Sequence, residues 1–193
     1  MEKLLDLFHR IAPLSPTLQQ EIVSILQVRE VRKKDIILRK GQVAQMIYFV
    51  ETGLVRCYYH LKEKERTSWM MRESDIFLSI FSFFSREPSF EIIEAMEDGV
   101  FYGISYDQLR SLYTSHKEFN YHRAEILQRY YLESEKRNNM RMLPAYDRYK
   151  FLLDNQPDLV GRVPDKYLAS YLGISVGTFS LQRQKFARSA RKR

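Results

Sequence analysis

The sequence predicts an α+β protein: an all-β barrel or roll of short strands, then a long helix, then a small helical domain. Three observations carry this reading. From Val28 to Tyr106, short β-branched and aromatic runs are separated by turn residues. From Tyr106 to Asn139, apolar residues recur near helical spacing. Near the C-terminus, VPDKYLASYLGISVGTFSLQRQ, residues 163–184, has the pattern of two helices crossing through a glycine turn.

Composition bounds the function classes. A chain of 193 residues suits one large domain or two small ones, and 45% hydrophobic residues supply a globular core. Apolar runs such as MIYFV, Met46 to Val50, are far too short to span a bilayer, so no membrane partner is expected. The opening MEKLLDLFHRIAPLS reads as an amphipathic helix rather than a signal peptide. Cys57 stands alone, which excludes an internal disulfide, a cysteine-based zinc site and a four-thiolate iron–sulfur cluster. A reducing cytoplasm is the expected location. The net charge is +7, and it is unevenly placed. From Leu181 to Arg193 the chain carries Arg183, Lys185, Arg188, Arg191, Lys192 and Arg193 with no acid. Such a tail is an electrostatic footprint for phosphate, or a solubilising end.

Each element follows in order. Short helices are expected near Leu4–His9 and Pro16–Leu26, the second capped by Ser15 with Pro16 in its first turn. In the strand region Gly41 and Gly53 mark places where the backbone needs positive φ. Lys62 to Arg66 reads as a charged hairpin loop. After Asp75 comes the bulky FLSIFSFFS, then a turn at Arg86–Ser89, then two strands hinged at Asp98-Gly99. Asp107 is a candidate cap for a helix carrying Leu109 and Leu112. The long helix beyond it carries Phe119, Ile126, Leu127 and Tyr130, which are assigned to a homodimer interface. The alternative is that this stripe packs on its own domain. Leu143 to Pro157 forms another helix, and Leu159 to Pro164 an extended link.

The C-terminal pattern meets the physical needs of a helix-turn-helix. Ala169 permits a close crossing, and Gly173 tolerates positive φ in the turn. Leu168, Leu172, Ile174 and Phe179 face inward, Pro164 suits a first helical turn, and Ser175 can cap the second helix. The second helix then presents Ser175, Val176, Gly177, Thr178 and Ser180 to double-stranded DNA, with Arg183, Lys185 and Arg188 reaching phosphates.

With these residues in place, the chain resembles the Crp/Fnr family of bacterial transcription regulators over nearly its whole length. KGQVAQMIYFVETGLVRCYY, Lys40 to Tyr59, resembles the family's β-roll signature, and RVPDKYLASYLGIS its DNA-binding helix pair. The resemblance implies a double-stranded β-roll of cupin-like jelly-roll type over 1–106, a linker and dimerisation helix over 107–139, and a winged-helix-like domain over 140–193. It also implies a homodimer bound to DNA, a small-molecule effector in the roll, and RNA polymerase as a partner.

The sequence departs from the family at two places. In members that bind cyclic nucleotides, a glycine-glutamate pair and an arginine hold the ribose and the phosphate. Here Leu78 and Ser79 replace the pair, and Ser89 stands at the arginine position, with Arg86 nearby as a substitute. Cyclic-nucleotide binding is therefore not expected, and no other cofactor is. Phe77, Phe81, Phe83, Phe84 and Phe90 enrich the same region in aromatics, as core or as a lipophilic site. The lone histidines His9, His60, His116 and His122 give no ground for haem. In the recognition helix Leu181 and Gln182 exchange the usual outward polar and inward apolar characters, and no hairpin wing follows.

Two functions remain. One is a homodimeric transcription regulator with an altered effector pocket. The other is a ligand-sensing or protein-interaction dimer whose DNA domain no longer reads sequence. No metal-spaced cluster, phosphate loop or nucleophile motif points to an enzyme. Glu91 and Glu94 bracket two isoleucines and are expected to face solvent.

Overall fold

The computed structural model describes residues 1–190. Arg191, Lys192 and Arg193 of the basic tail lie outside the described residues.

The N-terminal helices are α1 (Glu2–Ile11) and α2 (Pro16–Ile25). As expected, Ser15 caps α2: its Oγ accepts from the Leu18 N–H, and Pro16 opens the helix. Eight strands follow among the described residues: β1 (Gln27–Val31), β2 (Ile36–Leu38), β3 (Met46–Thr52), β4 (Val55–Leu61), β5 (Lys64–Met71), β6 (Ile76–Phe77), β7 (Ile92–Ala95) and β8 (Gly99–Ser105). They form two four-stranded sheets, ordered β1-β8-β3-β6 and β2-β7-β4-β5. The β-roll fold class therefore holds. Helix α3 (Ile80–Ser85) interrupts the strands between β6 and β7. FLSIFSFFS thus divides between a strand end and a helix.

Two of the turn expectations need correction. The turn between β4 and β5 is only Lys62 and Glu63, both at positive φ, while Lys64 to Arg66 already belong to the strand. Helix α4 (Tyr106–Ser115) is capped by Ser105, not Asp107. Ser105 Oγ accepts from the Gln108 N–H while the Gln108 side chain accepts from the Ser105 N–H, a reciprocal capping box. Gly41 and Gly53 do take positive φ, at 86° and 98°. Gly99 is required for another reason: a Cβ there would lie 2.4 Å from the Thr52 carbonyl oxygen.

The chain divides into two units: Met1–Tyr59 with Trp69–Arg129, and His60–Ser68 with Tyr130–Arg193. The first has a continuous core. Val50, Val55, Phe77, Phe83, Phe101 and Leu112 are nearly or wholly buried in it, as are Leu18 and Ile22 of α2. Tyr48, Phe77 and Phe101 interlock, with ring centroids 5.2 Å apart for the Tyr48–Phe77 and Phe77–Phe101 pairs. Arg56 on β4 pairs directly across from Glu94 on β7 and reaches its carboxylate at 2.8 Å. Arg56 is 1% exposed. Glu94, 14% exposed, is therefore a half-buried counter-charge rather than a solvent-facing acid.

The long helix α5 (Phe119–Met142) begins in the first unit and continues into the second. The second unit then has α6 (Ala145–Asn155), α7 (Leu159–Arg162), α8 (Asp165–Leu172) and α9 (Val176–Ala190). The link predicted as extended is instead the single turn α7, with Gly161 at φ 97° and a bridge from Val160 to Val163. The core here is Leu152, Leu159, Val163, Leu168, Leu172 and Phe179. The hairpin tip, residues 60–68, belongs to this unit. The Thr67 N–H donates to Ser170 Oγ at 2.9 Å, and Arg141 donates to the Thr67 carbonyl at 3.0 Å.

Candidate nucleic-acid interface and the altered effector cassette

The helix pair is built from the turn outward. Gly173 ends α8 with φ 68° and ψ 33°, the left-handed conformation expected of it. The Ile174 N–H then reaches back to the Ala169 carbonyl at 3.0 Å, and the Gly173 N–H to Ser170 at 3.1 Å. Arg148 of α6 supplies the rest. Its Nη1 donates to the Leu172 and Gly173 carbonyls at 3.0 and 3.2 Å, and its Nε to Leu143 at 2.7 Å. Carbonyls at a helix end lack intrahelical donors, so this guanidinium completes the turn. No local signal in the sequence points to Arg148; its partners lie 5, 24 and 25 residues away.

Ser175 caps α9 as expected. Its Oγ accepts from the Thr178 N–H at 3.0 Å and lies 2.8 Å from the Thr178 hydroxyl. Ser175, Val176 and Gly177 are exposed at the helix start, with Thr178 and Ser180 half-buried behind them. Phe179 points inward, fully buried, with its ring 5.3 Å from Tyr149. The expected exchange along the helix is present: Leu181 is 49% exposed and Gln182 6%. Burial pushes the Tyr149 and Tyr171 phenols above their ordinary pKa, so both stay neutral at neutral pH.

Arg183, Lys185 and Arg188 part company. Lys185 and Arg188 are exposed. Arg183 is not a free cation: Nη1 and Nη2 meet Oδ1 and Oδ2 of Asp165 at 3.1 and 2.9 Å. It braces α9 against the start of α8. Gln184 is exposed on the same helix and was not singled out from the sequence. It follows Leu181 by three residues, which puts both on one face.

In the cassette the predicted residues come together, but on one another. Ser79 and Ser89 are buried, with their hydroxyls 3.0 Å apart, and Ser89 Oγ donates to the Glu91 carbonyl at 3.0 Å. Phe77 is core and Leu78 half-buried. Arg86 takes a left-handed conformation after α3. Its guanidinium donates to the Ala44 carbonyl at 2.8 Å, to Phe83 and to the Gln45 side chain, and stacks 4.1 Å from the Tyr106 ring centroid. Arg86 is the only cation between Ser74 and Gly99, so these bonds engage the residue expected to substitute for the missing arginine. The aromatics divide: Phe77 and Phe83 are core, while Phe81, Phe84 and Phe90 are 44%, 42% and 51% exposed.

Of the proposed dimer residues, Phe119 is engaged in its own chain. It is 3% exposed and packs on Phe8 and Tyr113. Ile126 packs on the same core, Leu127 is 37% exposed, and Tyr130 is half-buried. Tyr131 and Leu132, at 65% and 52%, extend the exposed apolar surface.

Residues 28–116 match the model of the cyclic nucleotide-binding domain. Several solved structures share the fold. FixK2 from Bradyrhizobium japonicum aligns with a TM-score of 0.74 and 19% identity, over 86% of both chains. The c-di-GMP-responsive global regulator CLP from Xanthomonas campestris gives 0.69 and 16%, over 91% of this chain and 93% of its own. A Crp/Fnr-family regulator from Eubacterium rectale gives 0.69 and 19%, over 91% and 85%. No curated protein sequence matches the chain. The chain thus shares the fold of these structures, and residues 28–116 are similar to the cyclic nucleotide-binding domain.

Proposed function

We propose that this chain of Crp/Fnr fold is a homodimeric, DNA-binding transcription regulator whose roll does not bind cyclic nucleotides in the family's usual way. One observation carries the reading. The start of α9 is capped and exposed, and it is followed on the outer surface by Gln184, Lys185 and Arg188. A helix N-terminus with polar side chains at its surface and flanking cations suits entry into a major groove beside phosphates. Ser175, Thr178, Ser180 and Gln184 supply hydrogen-bonding groups, and Val176 supplies a methyl contact for thymine. Residues 140–193 then contact DNA, residues 107–139 join two copies, and residues 1–106 sense. The exposed Leu127, Tyr131 and Leu132 support α5 as the joining helix. RNA polymerase is the partner that such a regulator would engage.

The cassette supports the second half. A cyclic phosphate needs a cation or a nest of N–H groups, and Arg86 already serves three acceptors of its own chain.

A second reading has its own observation. Val176 and Leu181, each 49% exposed, occupy contact positions of α9 where polar readers would be expected. On that reading the chain is a sensing or interaction dimer with no sequence preference.

The test is retention of fragments from a random DNA pool at two salt concentrations, with and without cyclic AMP. Selective retention at the higher salt supports the regulator. Uniform loss with salt supports the second reading, because phosphate contacts alone carry no sequence information. A response to cyclic AMP would overturn the assignment of the cassette.

A further inference from the structure

We propose that the first unit holds an anion site outside the cassette, formed by Arg10 and Arg129 beside Arg72 and suited to a small organic phosphate. Arg10, Arg72 and Arg129 line one cavity of about 440 Å³, together with Leu7, Ile11 and Ser74 and the acids Glu73 and Asp75. The volume lies within the range of small-molecule pockets. None of the cassette residues Phe77, Leu78, Ser79, Arg86 or Ser89 lines it.

The charges are arranged for an anion. Arg10 and Arg129 are exposed and make no hydrogen bond or ion pair among the described residues. The acids are tied to backbone. Asp75 Oδ2 accepts from the Arg72 N–H at 3.0 Å, and Glu73 Oε1 accepts from the Gly53 N–H at 3.0 Å. The first bond closes the turn between β5 and β6, and the second ties that turn to Gly53 between β3 and β4. That turn sets Ser74 at φ 70° and leaves its hydroxyl without a hydrogen bond among the described residues. Leu7 and Ile11 give the cavity an apolar wall. Planar guanidiniums, a hydroxyl and an apolar wall together recognise a phosphate carried on an organic body.

The position on α5 matters. Arg129 follows Ile126 by three residues, and Ile126 packs on the core of the first unit. Leu127 lies roughly 200° around the helix from Arg129. The cavity therefore faces away from Leu127 and Tyr131, while Leu132, three residues beyond Arg129, borders its side of α5. The site does not depend on whether the chain reads DNA.

The experiment is calorimetric titration of the full chain with adenosine monophosphate, glucose 6-phosphate and pyrophosphate at fixed salt. The variants are Arg10→Gln with Arg129→Gln, and separately Lys185→Gln with Arg188→Gln. Saturable binding is expected for at least one of the two organic phosphates, weakened by about tenfold or more in the first variant and unchanged in the second. The unliganded melting temperature should be unchanged in both, since these side chains have no hydrogen-bond or ion-pair partner among the described residues. The proposal fails if neither organic phosphate saturates, or if the first variant binds as the wild type does. It fails equally if the tail variant loses as much. Pyrophosphate binding alone, without either organic phosphate, would overturn the ligand class.

Discussion

Arg183 and Asp165 face each other as a two-pronged ion pair, Nη1 to Oδ1 at 3.1 Å and Nη2 to Oδ2 at 2.9 Å. The pair ties the second helix of the motif to the start of the first. It is 45% and 35% exposed, so its contribution to stability is small, about 0.2–1 kcal/mol. Its larger effect is on charge. Asp165→Asn should leave folding nearly intact in urea titration and release one cation near the proposed groove. Affinity for a random DNA duplex should rise, and its salt dependence should steepen by about one phosphate contact. An unchanged salt slope would mean that Arg183 cannot reach phosphate even when freed.

Arg148 should matter more to folding than its half-exposed position implies. It completes the turn through the Leu143, Leu172 and Gly173 carbonyls. Arg148→Ala should cost about 1–3 kcal/mol, because hydrogen bonds to a charged donor are lost together. Gly173→Ala should cost about 1–2 kcal/mol through its left-handed φ of 68°. Gly173→Asn should recover part of that loss. Urea denaturation of the three variants checks the order.

Arg56 and Glu94 test the roll. With Arg56 1% exposed, Glu94→Ala removes the carboxylate 2.8 Å from a buried guanidinium. A loss of about 3–5 kcal/mol is expected. Replacing both, as Arg56→Met with Glu94→Leu, should be far milder than Glu94→Ala alone. Equal losses would show that the packing of the arginine stem, not its charge, is what matters here.

Tyr113 gives a pH prediction. Burial raises its phenol pKa to about 12, against a smaller lowering by Arg123. The unfolded phenol ionises near 10, while the folded one keeps its proton until about 12. Between those values the unfolded chain holds fewer protons, so stability falls as pH rises. The loss should be about 1–3 kcal/mol. Tyr113→Phe keeps the ring against Phe119, 5.7 Å away, and should abolish that part of the alkaline loss. Urea midpoints measured across this range for both proteins decide it.

Local conformation was legible in the residues themselves. Ser15 and Ser175 cap helices because a short side-chain oxygen reaches an N–H three residues on. Gly41, Gly53 and Gly173 take positive φ because a Cβ is penalised there. The outward Leu181 and inward Gln182 follow from helical period alone. Even so, Asp107 lost its expected cap to Ser105, two positions earlier.

What the residues could not reveal was where long side chains go. Arg183 chose Asp165, Arg86 chose the Ala44 carbonyl and Tyr106, and Arg148 chose a turn formed 25 residues later. Phe119 looked like a dimer contact and became core. Arg10, Arg72 and Arg129 meet only because a helix, a turn and a second helix are folded around one cavity. Caps and turns are closed by neighbours within a few bonds, so the chain specifies them directly. An arginine's partner is set by which distant groups the packed fold brings within its reach, and only the tertiary structure decides that.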